Sequence, residues 1–321
     1  MALDMSSSKI LSNGQSMPIV GFGTWRTIKS ETYEAVRQAL KAGYRHIDTA
    51  YYYQNEVEVG KAIRDGMVEL GLARRDIFVV TKLPSTCNRP SLVIPAMKES
   101  LTSLGLSYVD LYLVHTPVAT VPNIPDKVSL DEKIGPDGGR INDDEVCITD
   151  LWKQMENCVT MGLALSVGVS NFNSLQLQEI LDCCTIKPVT NQVECHPLLQ
   201  QNKLRDFCEK HDIVLTAFRC LGGQVKKPED PDLLKIQEIT NLAVKYRKSP
   251  AQILLKWQIE KGNIFLVKSS NASRIAENSQ IFDFSLLKEE LEELAKLDVG
   301  HRYCPFTDTK ESKHYPFHIE F

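Results

Sequence analysis

Four side chains of different chemistry stand at or just beyond the ends of short apolar runs: Asp48, Tyr53, Lys82 and His115. A tyrosine is a poor acid at its ordinary pKa of about 10. A neighbouring lysine cation stabilises the phenolate and lowers that pKa, and a buried aspartate paired with the lysine keeps it charged and oriented. A neutral histidine can hydrogen-bond a carbonyl oxygen or the phenol. Together these groups describe a proton donor, Tyr53, for a carbonyl that is being reduced. The hydride must come from a bound cofactor, because protein side chains supply none.

A second group follows the last apolar run: Lys268-Ser269-Ser270-Asn271, then Arg274, Glu277 and Asn278. The pattern reads as a strand end followed by a helix start, a geometry suited to anions. Two cations there suit a monophosphate such as the 2′-phosphate of NADP. The same segment reads equally as a solvated basic helix start.

The elements that must position these residues are legible as eight short apolar runs at 19–24, 45–50, 77–83, 109–115, 165–170, 189–194, 213–218 and 264–267. Most are apolar throughout rather than alternating, as in strands covered on both faces. Amphipathic stretches lie between them. Residues 30–42 set Tyr33, Val36, Ala39 and Leu40 on one side, with Gly43 as a stop, and Ser249-Pro250 opens another helix that Gly262 closes. Eight strand-then-helix units predict a (β/α)8 TIM barrel, as one domain over residues 1–321. A doubly wound sheet would want G-x-G-x-x-G after the first strand. The chain offers only Gly21-Phe22-Gly23-Thr24-Trp25-Arg26. Three segments exceed plain connections: 116–145, 219–232 and 299–321. The first two leave the C-terminal ends of strands, where barrels build their sites, so all three are expected to shape the substrate and cofactor site.

In such a barrel the strand ends converge. Asp48, Lys82 and His115 then meet Ser170-Asn171, Gln192 and Phe218 on one face. A carboxylate, an amine, an imidazole and amides together make a site.

Composition narrows the partners. The chain has 321 residues, 43% apolar and 24% charged, with a net charge of −4. No positive field exists to hold nucleic acid or an anionic membrane. No run is long enough to span a bilayer, and the N-terminus lacks a signal-peptide pattern. Nine cysteines without a C-x-x-C pair suit a reducing cytoplasm. Only His115 ends a strand, so a metal-dependent barrel hydrolase is set aside and no metal is expected. His196 precedes Pro197 and reads as a packing or loop residue.

The chain resembles the aldo-keto reductases from about Ile10 to Phe321. The resemblance is carried by Gly21-Phe-Gly-Thr24, Gly43-Tyr-Arg-His-Ile-Asp-Thr-Ala50, Leu104-Gly-Leu-Ser-Tyr-Val-Asp-Leu-Tyr-Leu-Val-His115, Gly168-Val-Ser-Asn-Phe172, Asn191-Gln-Val-Glu-Cys-His-Pro197 and Lys268-Ser269. The ending Tyr315-Pro-Phe-His-Ile-Glu-Phe321 is similar to the branch holding aldose reductase, aldehyde reductase and the hydroxysteroid dehydrogenases. The resemblance implies a cytosolic monomer without metal that reduces a small aldehyde or ketone with NADPH. It implies Tyr53 as general acid, tuned by Asp48 and Lys82, with His115 orienting the carbonyl. Ser170, Asn171 and Gln192 would bind the nicotinamide carboxamide, and Phe218 would stack on its ring. Gly23, Thr24 and Trp25 would line the nicotinamide and substrate region. Lys268, Ser269, Ser270, Asn271 and Arg274 would hold the 2′-phosphate, with Glu277 and Asn278 near adenine. The superfamily also contains NADPH-binding barrels with structural or regulatory roles, the alternative reading.

Five residues at four places depart from the family pattern. Phe218 replaces the usual tyrosine, and Arg219-Cys220 replace Ser-Pro. Arg219 opens a cofactor loop with Leu221, Gly222 and Gly223, where glycine lets backbone approach an anion closely. It is expected either on the pyrophosphate or ribose edge, where Lys226 and Lys227 compete, or paired with Glu229 or Asp230. Pro84 and Thr116 stand where aromatic residues are common, which predicts a wider or less aromatic pocket.

Overall fold

The computed structural model describes residues 3–136, 138–223 and 230–321. Residues 224–229, and with them Lys226, Lys227 and Glu229, lie outside the described residues.

The chain opens with a two-stranded antiparallel hairpin, β1 (Ser8–Ile10) and β2 (Ser16–Pro18). Eight strands follow: β3 (Val20–Gly23), β4 (His46–Asp48), β5 (Phe78–Leu83), β6 (Val109–Val114), β7 (Ala164–Ser170), β8 (Thr190–Glu194), β9 (Val214–Phe218) and β10 (Ile264–Val267). They pair in chain order, all parallel, and β10 returns to β3 to close the barrel. Helices alternate with them: α1 (Lys29–Lys41), α2 (Glu56–Leu70), α3 (Pro90–Leu104), α4 (Ile148–Thr160), α5 (Ser174–Leu181), α6 (Asn202–Lys210), α7 (Gln237–Tyr246), α8 (Pro250–Glu260), α9 (Ala272–Glu277) and α10 (Lys288–Ala295). All eight expected strands form, most trimmed by a residue or two.

The uninterrupted apolar runs have the anticipated cause. Every residue of β5 and β6 is buried, one set against the barrel interior and the other against helices. The barrel is tight where β10, β3 and β4 meet. A Cβ on Gly21 would lie 2.5 Å from Leu266 Cδ2 and 2.7 Å from His46 Nδ1, so only glycine fits. The start of α8 is locked by a reciprocal cap: Ser249 Oγ accepts from Gln252 N, and Gln252 Oε1 accepts from Ser249 N at 3.0 Å. Pro250 follows at the first helical position, where its missing N–H costs nothing.

The hairpin is an addition to the sequence-based outline. Its strands are short and mostly polar, so neither period nor composition marks them. It seals the N-terminal end of the barrel: Met17 is fully buried, and Asn13 Nδ2 donates to Leu165 O and Ser166 Oγ at the foot of β7.

At the opposite end the long segments are fastened to each other. The 116–145 segment folds back on itself through antiparallel bridges Thr120–Asn142, Pro122–Glu132 and Ile134–Arg140. The 299–321 tail is held by Glu194 at the end of β8, whose carboxylate accepts from Tyr303 N at 2.7 Å and Cys304 N at 2.9 Å. Its far end docks on the start of α5, where Asn173 Nδ2 donates to Pro316 O and Ser174 Oγ to Phe321 O. Ser312 Oγ donates to Asp144 Oδ1 at 2.6 Å, tying the tail to the first long segment. His196 contributes to this anchoring: fully buried, it shares a 3.0 Å hydrogen bond with Glu194 and packs on the Tyr303 ring.

Candidate active site

The parallel barrel sets Asp48 and Lys82 side by side at the C-terminal ends of β4 and β5. Lys82 is completely buried and Asp48 nearly so. The Lys82 ammonium donates to Asp48 Oδ1 at 2.5 Å, to Thr49 O at 2.9 Å and to Tyr53 Oη at 3.2 Å. Its three protons thus meet a carboxylate, a carbonyl and a phenol. The other carboxylate oxygen of Asp48 accepts from Gln192 Nε2 at 2.9 Å.

Tyr53 ends a single 3₁₀ turn, Tyr51–Tyr53, that follows β4, and its successor Gln54 is left-handed, with φ 55°. The turn presents the ring between Trp25, centroid 4.9 Å away, and His115, centroid 5.6 Å away and nearly perpendicular. Burial, then the Asp48 carboxylate, hold the Tyr53 phenol well above its ordinary value. This corrects the expectation that Lys82 lowers it. In the resting site the negative neighbour and the loss of water dominate, so Tyr53 keeps its proton at neutral pH. The ammonium 3.2 Å away can stabilise the phenolate only as that proton leaves. Burial also pulls Lys82 below the ordinary lysine value, with Asp48 and then Glu56 opposing the shift. Burial, then the Lys82 cation, push His115 down to about 3. Its imidazole is therefore neutral at physiological pH.

These groups open onto a cavity of about 760 Å³ at the C-terminal mouth of the barrel. Trp25, Asp48, Tyr53 and His115 line one end of it. Ser170, Asn171 and Gln192 form its floor, held by their own network. Asn171 Nδ2 donates to His115 O at 2.9 Å, and Ser170 Oγ donates to Gln192 O at 2.8 Å. Phe218 and the turn of Arg219, Leu221 and Gly223 form a wall, with Arg219 at φ 54° and Gly222 at φ 78°. Gly23, Lys268, Ser269, Ser270, Arg274, Glu277 and Asn278 complete the lining. Three residues of the sequence-based set stand off it: Lys82, fully buried and in touch with the cavity only through Asp48 and Tyr53, then Thr24 and Asn271. Thr24 is fully buried and donates its hydroxyl to Asp48 O at 3.0 Å, fixing the strand end from behind. Asn271 accepts from Arg274 N and caps α9.

Several lining residues escape sequence reasoning. Tyr52, Cys304 and Phe306 join the Trp25 end. They make that end aromatic, and Pro84 and Thr116, the basis for expecting a wider or less aromatic pocket, do not line it. The tail residues come from a segment some two hundred and fifty positions from Tyr52, and no local signal records that meeting. Arg26, Leu234, Ser249 and Pro250 also line the cavity. Burial pushes the Cys304 thiol of the tail up, and the Arg219 cation partly opposes that shift.

The lining fits a nicotinamide dinucleotide phosphate. Lys268 and Arg274 have no ion-pair partner among the described residues; burial pulls Lys268 below the ordinary lysine value, the Glu31 charge opposes that shift, and the Arg274 cation adds to it. Two cations free of direct ion pairs, beside hydroxyls and a capped helix start, suit a phosphate. Among the described residues no cluster of His, Cys, Asp and Glu could hold a metal ion. No helix there is long and apolar enough to cross a membrane.

The family model described as Aldo/keto reductase family matches residues 19–299. The chain is similar to dihydrodiol dehydrogenase 3 of Bos taurus, 42% identical over 97% of each chain. It is also similar to prostaglandin F synthase 1 of Bos taurus, 40% identical over 99% of this chain and all of the other. The solved aldose reductase of Schistosoma japonicum superposes with a TM-score of 0.91 at 36% identity, covering 98% of this chain and all of that one. The chain belongs to the aldo/keto reductase family, whose members are oxidoreductases acting on carbonyl groups.

The neutral His115 has a measurable consequence. Because its imidazole takes up a proton only near pH 3, its titration should leave the reduction rate unchanged between about pH 5 and about pH 8. A step in kcat centred near 6.5, the ordinary histidine value, would contradict the burial and charge argument.

Proposed function

We propose that this aldo/keto reductase uses NADPH to reduce an aldehyde or ketone to the alcohol, with Tyr53 as the proton donor. The observation that carries the reading is the Lys82 ammonium shared between Asp48 and the Tyr53 hydroxyl at the wall of the cavity. Bound NADPH supplies the hydride. Lys268 and Arg274 would hold its 2′-phosphate, helped by Ser269, Ser270 and the Asn271 cap of α9, with Glu277 and Asn278 beside adenine. Ser170, Asn171 and Gln192 offer hydroxyl and amide groups to the carboxamide, and Phe218 offers a ring face. Gly23 and Trp25 border the region where nicotinamide and substrate meet, while Thr24 supports it from behind. Arg219, Leu221 and Gly223 would border the pyrophosphate.

The substrate oxygen binds between Tyr53 Oη and the neutral His115 ring. Tyr53 gives up its proton as negative charge develops on that oxygen. Lys82 then faces a phenolate, and the attraction grows in the transition state rather than before it. Asp48 keeps the ammonium in place and Gln192 keeps Asp48 in place. We further propose a single-domain enzyme that works as a monomer in the cytoplasm, acting on a small molecule rather than on nucleic acid or a membrane.

Tyr53→Phe retains the ring packed between Trp25 and His115 but removes the proton. Reduction of a broad carbonyl panel should fall by a factor on the order of 10² to 10⁴, while NADPH affinity by fluorescence titration stays nearly unchanged. Turnover at the wild-type rate would move the donor role to Tyr51 or Tyr52. Tight NADPH binding without turnover in the wild type would favour the structural or regulatory alternative.

Replacing both Lys268 and Arg274 by Met should weaken NADPH binding much more than NADH binding, because only the former carries the 2′-phosphate. Equal losses for the two cofactors, measured by the same titration, would show that the pair does not meet that group.

A further inference from the structure

The aromatic end of the cavity contains a hydroxyl that the proton-transfer chemistry does not use. Tyr52, the neighbour of the proton donor, lines the cavity with its ring centroid 5.9 Å from that of Trp25 and 6.3 Å from that of His115. Its Oη accepts from Arg140 Nη2 at 2.9 Å. Among the described residues no protein group accepts the Tyr52 hydroxyl proton, which is left for something else in the cavity.

Arg140 is not a mobile surface cation. Its Nε donates to Glu132 Oε2 at 2.8 Å, and its Nη1 lies 3.5 Å from Asp308 Oδ2 on the tail. Glu132 is itself held, accepting from Thr120 Oγ1 at 2.9 Å and from Ser85 Oγ at 3.4 Å. Ser85 follows Lys82 by three residues in the chain. The guanidinium therefore joins the 116–145 segment, the tail and the Tyr53 turn at one point. A bond from a charged donor polarises the phenol and makes its remaining O–H a stronger donor.

We propose that Tyr52 and Arg140 form a second polar anchor in the substrate end of the cavity, taking a neutral hydrogen-bond acceptor on the substrate away from the reacting carbonyl. The guanidinium is already matched by Glu132 and Asp308, so the anchor offers a hydrogen bond without net positive charge. The favoured class is therefore a ketone or aldehyde on a largely apolar frame bearing a second ketone or hydroxyl oxygen. A second oxygen carried as carboxylate gains nothing there. The inference rests on the carbonyl-reducing reading of the cavity and extends it to substrate choice.

The test uses a decalone series: the monoketone, the diketone, the hydroxyketone and the ketocarboxylate. Turnover gives kcat and KM, and calorimetry with NADP⁺ present gives Kd. The wild type should bind the better of the diketone and hydroxyketone more tightly than the monoketone by about five- to tenfold, the scale of one well-placed hydrogen bond. Tyr52→Phe and Arg140→Met should each erase most of that preference while leaving kcat for the monoketone unchanged. The double variant should lose no more than Tyr52→Phe alone, because both act through one hydroxyl. Equal losses on monoketone and diketone would overturn the anchor and reduce the pair to wall packing, and so would a preference for the ketocarboxylate that Arg140→Met abolishes. If no member is turned over but the diketone preference appears in Kd and vanishes in Tyr52→Phe, the anchor stands and the carbonyl-reducing reading falls.

Discussion

A lysine ammonium with no exposure to water stands at the end of β5, and the arrangement of the site follows from what that charge requires. Removing an ion from water costs several kcal/mol even in a relaxed protein. Lys82 recovers that cost only because Asp48, Thr49 O and Tyr53 Oη all lie within hydrogen-bond reach. Asp48, also buried, needs its second oxygen satisfied, and Gln192 from the far side of the barrel supplies the donor. The pair is thus the reason that β4, β5 and β8 must end at one level. It is also the reason that Tyr53 must follow β4 on a tight turn rather than on a free loop. A buried pair of this kind contributes little net stability; its value lies in fixing one arrangement at the point where charge will develop.

The same constraint orders the surroundings outward. Thr24 braces the backbone of Asp48, and Asn171 braces that of His115. Glu194 holds the tail by two backbone amides, so that Cys304 and Phe306 reach the cavity lining. A water-poor site keeps the phenol protonated and the imidazole neutral without any further device. The chemistry then depends on a change of charge during the reaction, rather than on a tyrosine already ionised at rest.

Much of this was legible in the residues, for identifiable physical reasons. Strands covered on both faces leave unbroken apolar runs, so the eight barrel strands could be read directly, and the polar residue closing each run pointed at the shared face. Asp48, Lys82, Tyr53 and His115 were visible because polar groups at strand ends are conspicuous against apolar neighbours. The N-terminal hairpin was not, because three-residue polar strands carry no period. The sign of the Tyr53 shift was not legible either: the sequence names Lys82 and Asp48 as neighbours but is silent on burial, which together with the Asp48 charge sets the direction. Tyr52, Arg140, Asp308 and Phe306 meet only because the long segments fold over one another. Contacts between loops far apart in the chain leave no local pattern.

The central claim is that the Lys82 cation stabilises the Tyr53 phenolate as the proton departs, while taking no part in holding the cofactor. Single-turnover reduction by Lys82→Met, in protein that keeps a cooperative thermal unfolding transition, measures this most directly. The rate of the chemical step should fall by a factor on the order of 10² or more, with the NADPH Kd close to that of the wild type. A chemical step at the wild-type rate in Lys82→Met would show that the buried pair is scaffolding and that the proton is delivered without it.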